Sequence, residues 1–353
     1  MPRTSKTAPS TAVTGGGGRP RLADIARMAD VTISTVSRAL ANNPLVKEET
    51  RTRILEIATA LNYSANAAAQ NLRTGQSRTI GLVVPLDPAS KDPVSAPFLL
   101  GLLGGIVDAL TERGYDMLIS RIMVERLDRV AQLYDSGRAE GIIMIGQWGY
   151  HDHLNKMTER GVPLVVWGAP LPHQKYATVG SDNVLGGALV TGHLLDQGAR
   201  RIAFFGDVEL NEGRLRHQGY HNAHRDRGLL VDPALTRSIP FIGDSMQVEV
   251  RSMLKQGVKF DGVFAGSDAA ALSIMSALQD AGVRVPEDVL VAGYDDIGPA
   301  AFAHPSLTTI RQPMQEAGQR LVDCLMAQIE GRHADSVMLS TELVTRDSTR
   351  RGK

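Results

Sequence analysis

The chain has 353 residues, 43% hydrophobic and 22% charged, and its 38 Lys and Arg balance 38 Asp and Glu for a formal net charge of zero. That composition excludes a disordered, collagen-like or small disulfide-stapled protein, and the length accommodates about two or three domains of ordinary size. Zero charge taken alone argues against a nucleic-acid binder, yet residues 1–80 hold 11 basic and 5 acidic side chains, a balance of +6, while the remainder holds 27 and 33, a balance of −6. A basic head on an acidic body is the first asymmetry to explain.

Residues 1–18 are basic and end in four glycines with no apolar stretch before them, which reads as a flexible tail and not as a secretory signal. The single cysteine, Cys324, lies in the apolar pattern LVDCLMAQI, forms no internal disulfide and reads as a small core residue. No stretch approaches the roughly 18 uninterrupted apolar residues of a membrane span. The expectation is a soluble, cytoplasmic protein with no membrane association.

In RLADIARMADVTISTVSRALA (21–41), Leu22, Ile25, Ala26 and Ala29 recur at helical spacing, and Val36, Ala39 and Leu40 do so again after Asp30-Val31. Two short helices joined by a tight turn make a helix-turn-helix. Thr32 caps the second helix, whose outward face carries Ile33, Ser34, Thr35, Ser37 and Arg38, followed by Asn42. Short hydroxyls let such a face approach a major groove closely, and an arginine pairs with guanine through two parallel hydrogen bonds. A third helix over Lys47–Leu61 places Ile54, Ile57, Ala58 and Leu61 on one side and closes a small core.

These residues carry a resemblance. Leu22-Ala23-Asp24-Ile25-Ala26, Thr35-Val36-Ser37-Arg38, Thr50-Arg51-Thr52-Arg53-Ile54 and Leu61-Asn62-Tyr63 resemble the N-terminal signature of the LacI/GalR family of bacterial repressors. Two positions depart from it: Arg21 stands where a threonine often caps the first helix, and Asp30 replaces the usual turn glycine. Aspartate tolerates the left-handed conformation such a turn needs, so the departures bear on cap strength more than on the motif.

Residues 64–78 are too short for a stable isolated helix. The resemblance implies that they form a hinge helix when a dimer sits on its operator, with Leu72 as a minor-groove wedge and Asn66, Ala69 and Gln70 against the groove or backbone. Arg73 and Arg78 add phosphate-directed charge.

From Thr79 onward, apolar runs at 80–86, 116–120, 141–146, 163–168, 201–207, 262–267 and 289–296 read as strands. Amphipathic segments near 98–113, 124–137, 151–160, 183–197, 213–228, 244–256 and 269–281 read as helices between them. Alternation of this kind implies parallel sheets covered on both faces, with too many units for one core. The resemblance implies the fold: an all-α helix-turn-helix head (19–63), the hinge (64–78), and a two-lobed α/β body of the periplasmic-binding-protein-like type I class (79–348). Lobe one is placed at about 79–180 plus 310–336 and lobe two at about 181–309 plus 337–348, with a small effector in the cleft.

The cleft candidates follow from the same resemblance. Arg216, in Arg216-His217-Gln218-Gly219-Tyr220, and Asp295, in GYDD, match family elements that hold effector hydroxyls or ring atoms. A guanidinium fork and a carboxylate both pair with vicinal hydroxyls. Phe98 and Trp148 offer flat faces for a sugar or purine ring, with Gln147 beside the latter; Asp182, Asp268 and Met314 are further candidates. Capping is an equally good reading of Asp182 and Asp268 at strand-to-helix junctions. Ser267 stands where the family often has asparagine.

No GxSxG, P-loop or spaced metal-ligand motif occurs, and GLLGG (101–105) is no dinucleotide fingerprint. His151 and His153 lack an evident third ligand. No metal, cofactor or enzymatic activity is expected. The expected function is a homodimeric repressor of carbohydrate-utilisation genes that binds a palindromic operator and is released by a sugar. A purine-type corepressor is the alternative effector, and a sugar-binding transport receptor is the alternative class, although it would have no use for residues 21–78.

Overall fold

The structure is a computed structural model, and it describes residues 20–61, 63, 77–86, 94–123, 126, 129–147, 149–239 and 245–351. The tail, the hinge positions Asn66, Ala69, Gln70, Leu72 and Arg73, Trp148 and part of the helix expected at 124–137 lie outside these residues. The chain divides into two compact units, residues 1–75 and 76–353.

The head is three helices: α1 (Leu22–Ala29), α2 (Ile33–Leu40) and α3 (Glu48–Ala60). Ile25, Val36 and Ile54, one from each helix, are fully buried, with Ala29, Ala39 and Ala58 small enough to let the helices approach. Arg21 gives α1 no side-chain cap; instead the Asp24 carboxylate accepts the Arg21 backbone N–H at 3.0 Å. Asp30 does adopt the left-handed conformation (φ 51°) that closes the turn. Arg51 on α3 donates to the carbonyls of Asn43 and Val46 and so ties α3 to the loop after α2.

The body begins with β1 (Thr79–Leu86), α4 (Pro97–Thr111), β2 (Asp116–Met123), α5 (Val130–Asp135), β3 (Gly141–Ile145), α6 (His151–Glu159), β4 (Leu164–Trp167) and β5 (Ala177–Ser181). It continues through α7 (Asn183–Asp196), β6 (Ile202–Gly206), α8 (Asn211–Arg225), β7 (Thr236–Ser238), α9 (Ser245–Lys255), β8 (Gly262–Ala265), α10 (Asp268–Asp280), β9 (Leu290–Ala292) and α11 (Gly298–Phe302). The last elements are β10 (Thr309–Arg311), α12 (Met314–Ile329), β11 (Val337–Leu339) and β12 (Glu342–Val344).

Two parallel sheets result, in the orders β11-β5-β4-β3-β1-β2 and β7-β6-β8-β9, with a small antiparallel pair β10-β12. The period-two alternation of a strand buried on both faces builds each core. Ile80, Leu82 and Val84 of β1 pack with α4 and α12, whereas Val83 points to the side of α5 and α6. Likewise Ala203 and Phe205 of β6 join the α9–α10 side, and Ile202 and Phe204 the opposite one.

The chain crosses between lobes three times: after β5, between β10 and α12, and after β11. The expected boundary at residue 336 is displaced, because β11 pairs with β5 and extends lobe one to Leu339. All seven anticipated strands occur. Among the described residues five further strands, β5, β7, β10, β11 and β12, lie outside the expected set. α12 was not read as a helix either; on it Cys324 is half-buried against the lobe-one core and is the free cysteine.

Two helix pairs cross unusually closely, and both aim side chains at the cleft. α7 and α8 meet at Gly187 and Gly219: a Cβ on either would lie 2.2 Å from a backbone oxygen, that of Arg216 or Val184 respectively. α4 and α12 meet at Gly105 and Gly318, where a Cβ on Gly318 would fall 2.1 Å from the Gly105 carbonyl carbon. Only glycine permits such approach.

Candidate functional site

In the head, Thr32 caps α2 as expected, its Oγ1 accepting the Thr35 backbone N–H at 3.2 Å. Val36 and Ala39 are buried, so the opposite face carries the exposed side chains of Ile33, Ser34, Arg38 and Asn42. Ile33 is 52% exposed. The Arg38 guanidinium has no partner among the described residues. Thr35 and Ser37 are half-buried, and the Thr35 hydroxyl is tied to that of Thr32 at 2.9 Å. Asn42 sits just past the helix in a left-handed conformation (φ 54°).

In the body, the carboxyl ends of β1, β3 and β4 face those of the second lobe across a cavity of about 300 Å³. Open α/β sheets place their ligands at this edge. Of the residues singled out in the sequence, Phe98, Gln147, Arg216 and Asp295 line it. Phe98, at the start of α4, packs on both lobe cores and pairs with Trp167 at a centroid distance of 6.1 Å.

Arg216 is 6% exposed and held from three sides. Nε donates to Asn183 Oδ1 at 2.8 Å, Nη1 donates to the Gly266 carbonyl, and the guanidinium lies 3.7 Å over the Tyr294 ring. Asp295 ends the strand-to-loop turn in a strained conformation for a non-glycine residue (φ 121°), beside Asp296 at φ 58°. Gln312 Nε2 donates to Asp295 Oδ1 at 2.7 Å, and the same Gln312 accepts from Ser181 Oγ at 2.5 Å. The cavity carboxylate is thus wired to two of the three crossovers. Burial pushes the Asp295 carboxyl above the usual carboxylate range, against the pull of Arg216 and of the hydrogen bond from Gln312.

Three candidates lie elsewhere. Asp182 caps α7, accepting the Leu185 N–H at 2.9 Å, and is outside the lining. Asp268 is fully buried beneath the site, accepting from Thr309 Oγ1 at 2.5 Å and the Ile297 N–H at 2.9 Å. Burial, and then the charge of Asp295, raise its carboxyl well above the usual range. It positions the Asp295 turn, while its neighbour Ser267 lines the cavity and caps α10. Met314 packs on α4 at Gly101, behind the wall.

Sequence reasoning missed Arg121, Trp167, Glu209, Asn211 and Glu212 in the lining. Glu212 Oε1 accepts the Ala169 N–H at 3.2 Å, a direct bond between the lobes at the cleft. The terminal tryptophan of the run PLVVWG, at the carboxyl end of a core strand, was the available signal for Trp167.

A model of the bacterial regulatory proteins of the lacI family matches residues 21–66, and a periplasmic binding protein-like domain matches residues 191–349. The HTH-type transcriptional regulator CelR of Thermobifida fusca is 32% identical over 337 residues, covering 94% of this chain and 98% of that protein. The chain belongs to the LacI family. Among solved structures, a CelR–cellobiose complex is 31% identical with a TM-score of 0.70, covering 94% of this chain and all of the other. The lac repressor dimer bound to operator and the anti-inducer ONPF is 25% identical with a TM-score of 0.81, covering 94% and 99%. As a member of the family the chain is a DNA-binding transcription regulator with a ligand-binding body. No described helix is long and apolar enough to cross a membrane.

Proposed function

We propose that this regulator is a homodimeric repressor of carbohydrate-utilisation genes, acting in the cytoplasm on a two-fold-symmetric operator and released by a sugar. The observation that carries this reading is the pairing, in one chain, of a capped α2 presenting Ile33, Ser34 and an Arg38 with no partner among the described residues with a cleft in which Arg216 and Asp295 converge. The relatives add support: one solved complex holds cellobiose, and another holds operator DNA as a dimer. Thr32, Ile33, Ser34, Thr35, Ser37, Arg38 and Asn42 are assigned to the major groove or its phosphates. Residues 64–78, with Asn66, Ala69 and Leu72, are assigned to the hinge at the operator centre.

In the cleft, Arg216 and Asp295 take sugar hydroxyls while Phe98 takes a ring face, and Gln147 completes the lining. The protein carries out no reaction on the ligand: binding alone changes the lobe angle and, through the hinge, operator affinity. The test begins with selection of an operator from random DNA by the full-length protein. Anisotropy with the selected duplex, with and without cellobiose, then reads the response. Weaker operator binding with sugar is expected, and strengthened binding would remove the inducer model.

A further inference from the structure

Asp268, the first residue of α10, is a carboxyl group surrounded by neutral and negative groups. It is 0% exposed, and Gly293 packs on it so closely that a Cβ there would lie 2.2 Å from Oδ1. Its two hydrogen-bond partners are neutral: Thr309 Oγ1, 2.5 Å from Oδ1, and the Ile297 N–H, 2.9 Å from Oδ2. No ion pair among the described residues involves it. The cations of the surrounding elements act on other carboxylates: Arg311 and Arg346 pair with Asp296 at 2.7 and 2.6 Å, and Arg216, from α8, pulls on Asp295. Tyr294, beneath the Arg216 guanidinium, has its phenol pushed up by burial and stays neutral. The charges that face Asp268 are those of Asp295 and Asp296, both in the turn after β9.

Ionising a fully buried carboxyl beside a second carboxylate costs far more than ionising one of the two, so such a pair keeps a proton. We infer that Asp268 is a positioning residue that works protonated: the Asp268–Asp295 pair holds one proton, Asp295 alone carries the charge offered to a ligand, and loss of that proton undoes recognition. Burial raises both carboxyls, but Asp268 also meets the charge of Asp295, whereas Arg216 and the Gln312 amide favour the charged form of Asp295. The proton therefore belongs to Asp268. On Oδ1 it points to Thr309 Oγ1 while Oδ2 still accepts the Ile297 N–H, so both bonds that hold the turn survive protonation. An ionised Asp268 would instead set two like charges against each other at the strained Asp295 backbone. The effect on recognition rests on the reading of Asp295 as the group that takes a ligand hydroxyl; the proton does not.

The test uses the full-length protein and needs no ligand for its first two readings. Infrared difference spectra of the parent against Asp268→Asn at neutral pH should show a protonated-carboxyl C=O band that the variant lacks. That band should fade in alkaline solution, and at a lower pH in Asp295→Asn, where the neighbouring charge is gone. Asp268→Asn should fold, because its amide donates to Thr309 and its carbonyl accepts from Ile297. In urea, the parent's unfolding constant should rise by up to about tenfold per pH unit relative to that variant while Asp268 holds its proton, since the native state then binds one proton more than the unfolded chain. Calorimetry with cellobiose reads the ligand side. Parent affinity should fall by up to about tenfold per pH unit once Asp268 ionises, while that of Asp268→Asn stays within about threefold of its own value at neutral pH. Absence of the band at neutral pH, parallel unfolding profiles, or an Asn variant that does not fold overturns the inference. Equal alkaline loss of cellobiose affinity in both proteins overturns the positioning role. If cellobiose does not bind at all, that choice of sugar falls, and the band and the unfolding profiles still decide the proton.

Discussion

The crossing of α4 and α12 makes a sharp test, because two glycines facing it should respond in opposite directions. On Gly318 a Cβ would lie 2.1 Å from the Gly105 carbonyl carbon and 2.5 Å from both its oxygen and the Ile106 nitrogen. Ordinary contact begins near 3.4 Å, so α12 must retreat by about 1 Å or more from rigid backbone. Overpacking of this kind costs about 1–3 kcal/mol, and the close contacts to main chain place it at the upper end. The gain in helix propensity offsets at most about 1 kcal/mol, leaving Gly318→Ala about 2 kcal/mol less stable. Gly101, one turn before Gly105 on α4, faces the same helix but would place its Cβ 3.6 Å from Met314 Cγ, an ordinary contact. Gly101→Ala therefore keeps the propensity gain and is about 0.5–1 kcal/mol more stable. Urea unfolding followed by circular dichroism should separate the two by nearly 3 kcal/mol, or by about 6 °C in Tm for a body of this size. Since α4 begins at Pro97-Phe98, Gly318→Ala should also weaken ligand binding, whereas Gly101→Ala leaves it intact. Shifts of the same sign in both variants would refute the close approach and the positioning argument built on it.

Three further outcomes follow from the geometry. Burial, and then the neighbouring His221, push the His217 imidazole down to about 4, so the folded body keeps it neutral where the unfolded chain, at 6.5, takes a proton. Its contribution is complete above pH 6.5 and is lost as pH falls toward 4, by about 2 kcal/mol after discounting for its half-burial; His217→Gln should flatten the pH dependence of unfolding in that window. Thr32→Ala removes the cap of α2 and should destabilise the head by about 1 kcal/mol, lowering operator affinity while titration shows ligand binding unchanged. Gln312→Met breaks the link from Asp295 to Ser181; operator affinity with and without ligand, expected to differ about 5–150-fold in the parent, should then differ less than about threefold. An unchanged ratio would show that the crossover bonds do not transmit occupancy.

What the sequence revealed depended on how local the cause was. β1, β3, β4, β6 and β8 are buried on both faces and read as apolar runs. β5, Ala-Thr-Val-Gly-Ser, is equally buried but owes it to its neighbours β4 and β11, and its small and hydroxylated residues show no period. The three-residue strands β7, β10, β11 and β12 exist only because partners lie beside them, so no window of sequence contains their cause. The head was legible almost residue by residue because its cap, turn and helical spacing are all local.

The cleft divides along the same line. Arg216 and Asp295 stand out in sequence because they sit in recognisable surroundings, but a carboxylate at a strand-to-helix junction looks alike whether it faces the cavity, caps a helix or lies below it. Asp295, Asp182 and Asp268 turn out to be one of each. What separates them is the path of the backbone. Asp295 and Asp296 take positive φ at the end of β9, and that turn is held by Asp268 from below, by Gln312 from the crossover, and by Arg311 and Arg346, which pair with Asp296 at 2.7 and 2.6 Å. The strain is local, while the bonds that maintain it come from three separate stretches of chain. A ligand hydroxyl arriving at Asp295 therefore meets a carboxylate whose orientation is shared with the crossovers, and rearranging one must load the others. In the proposed mechanism recognition and lobe movement would use the same few side chains, which is why Gln312, outside the cavity lining, should govern the response more than the affinity.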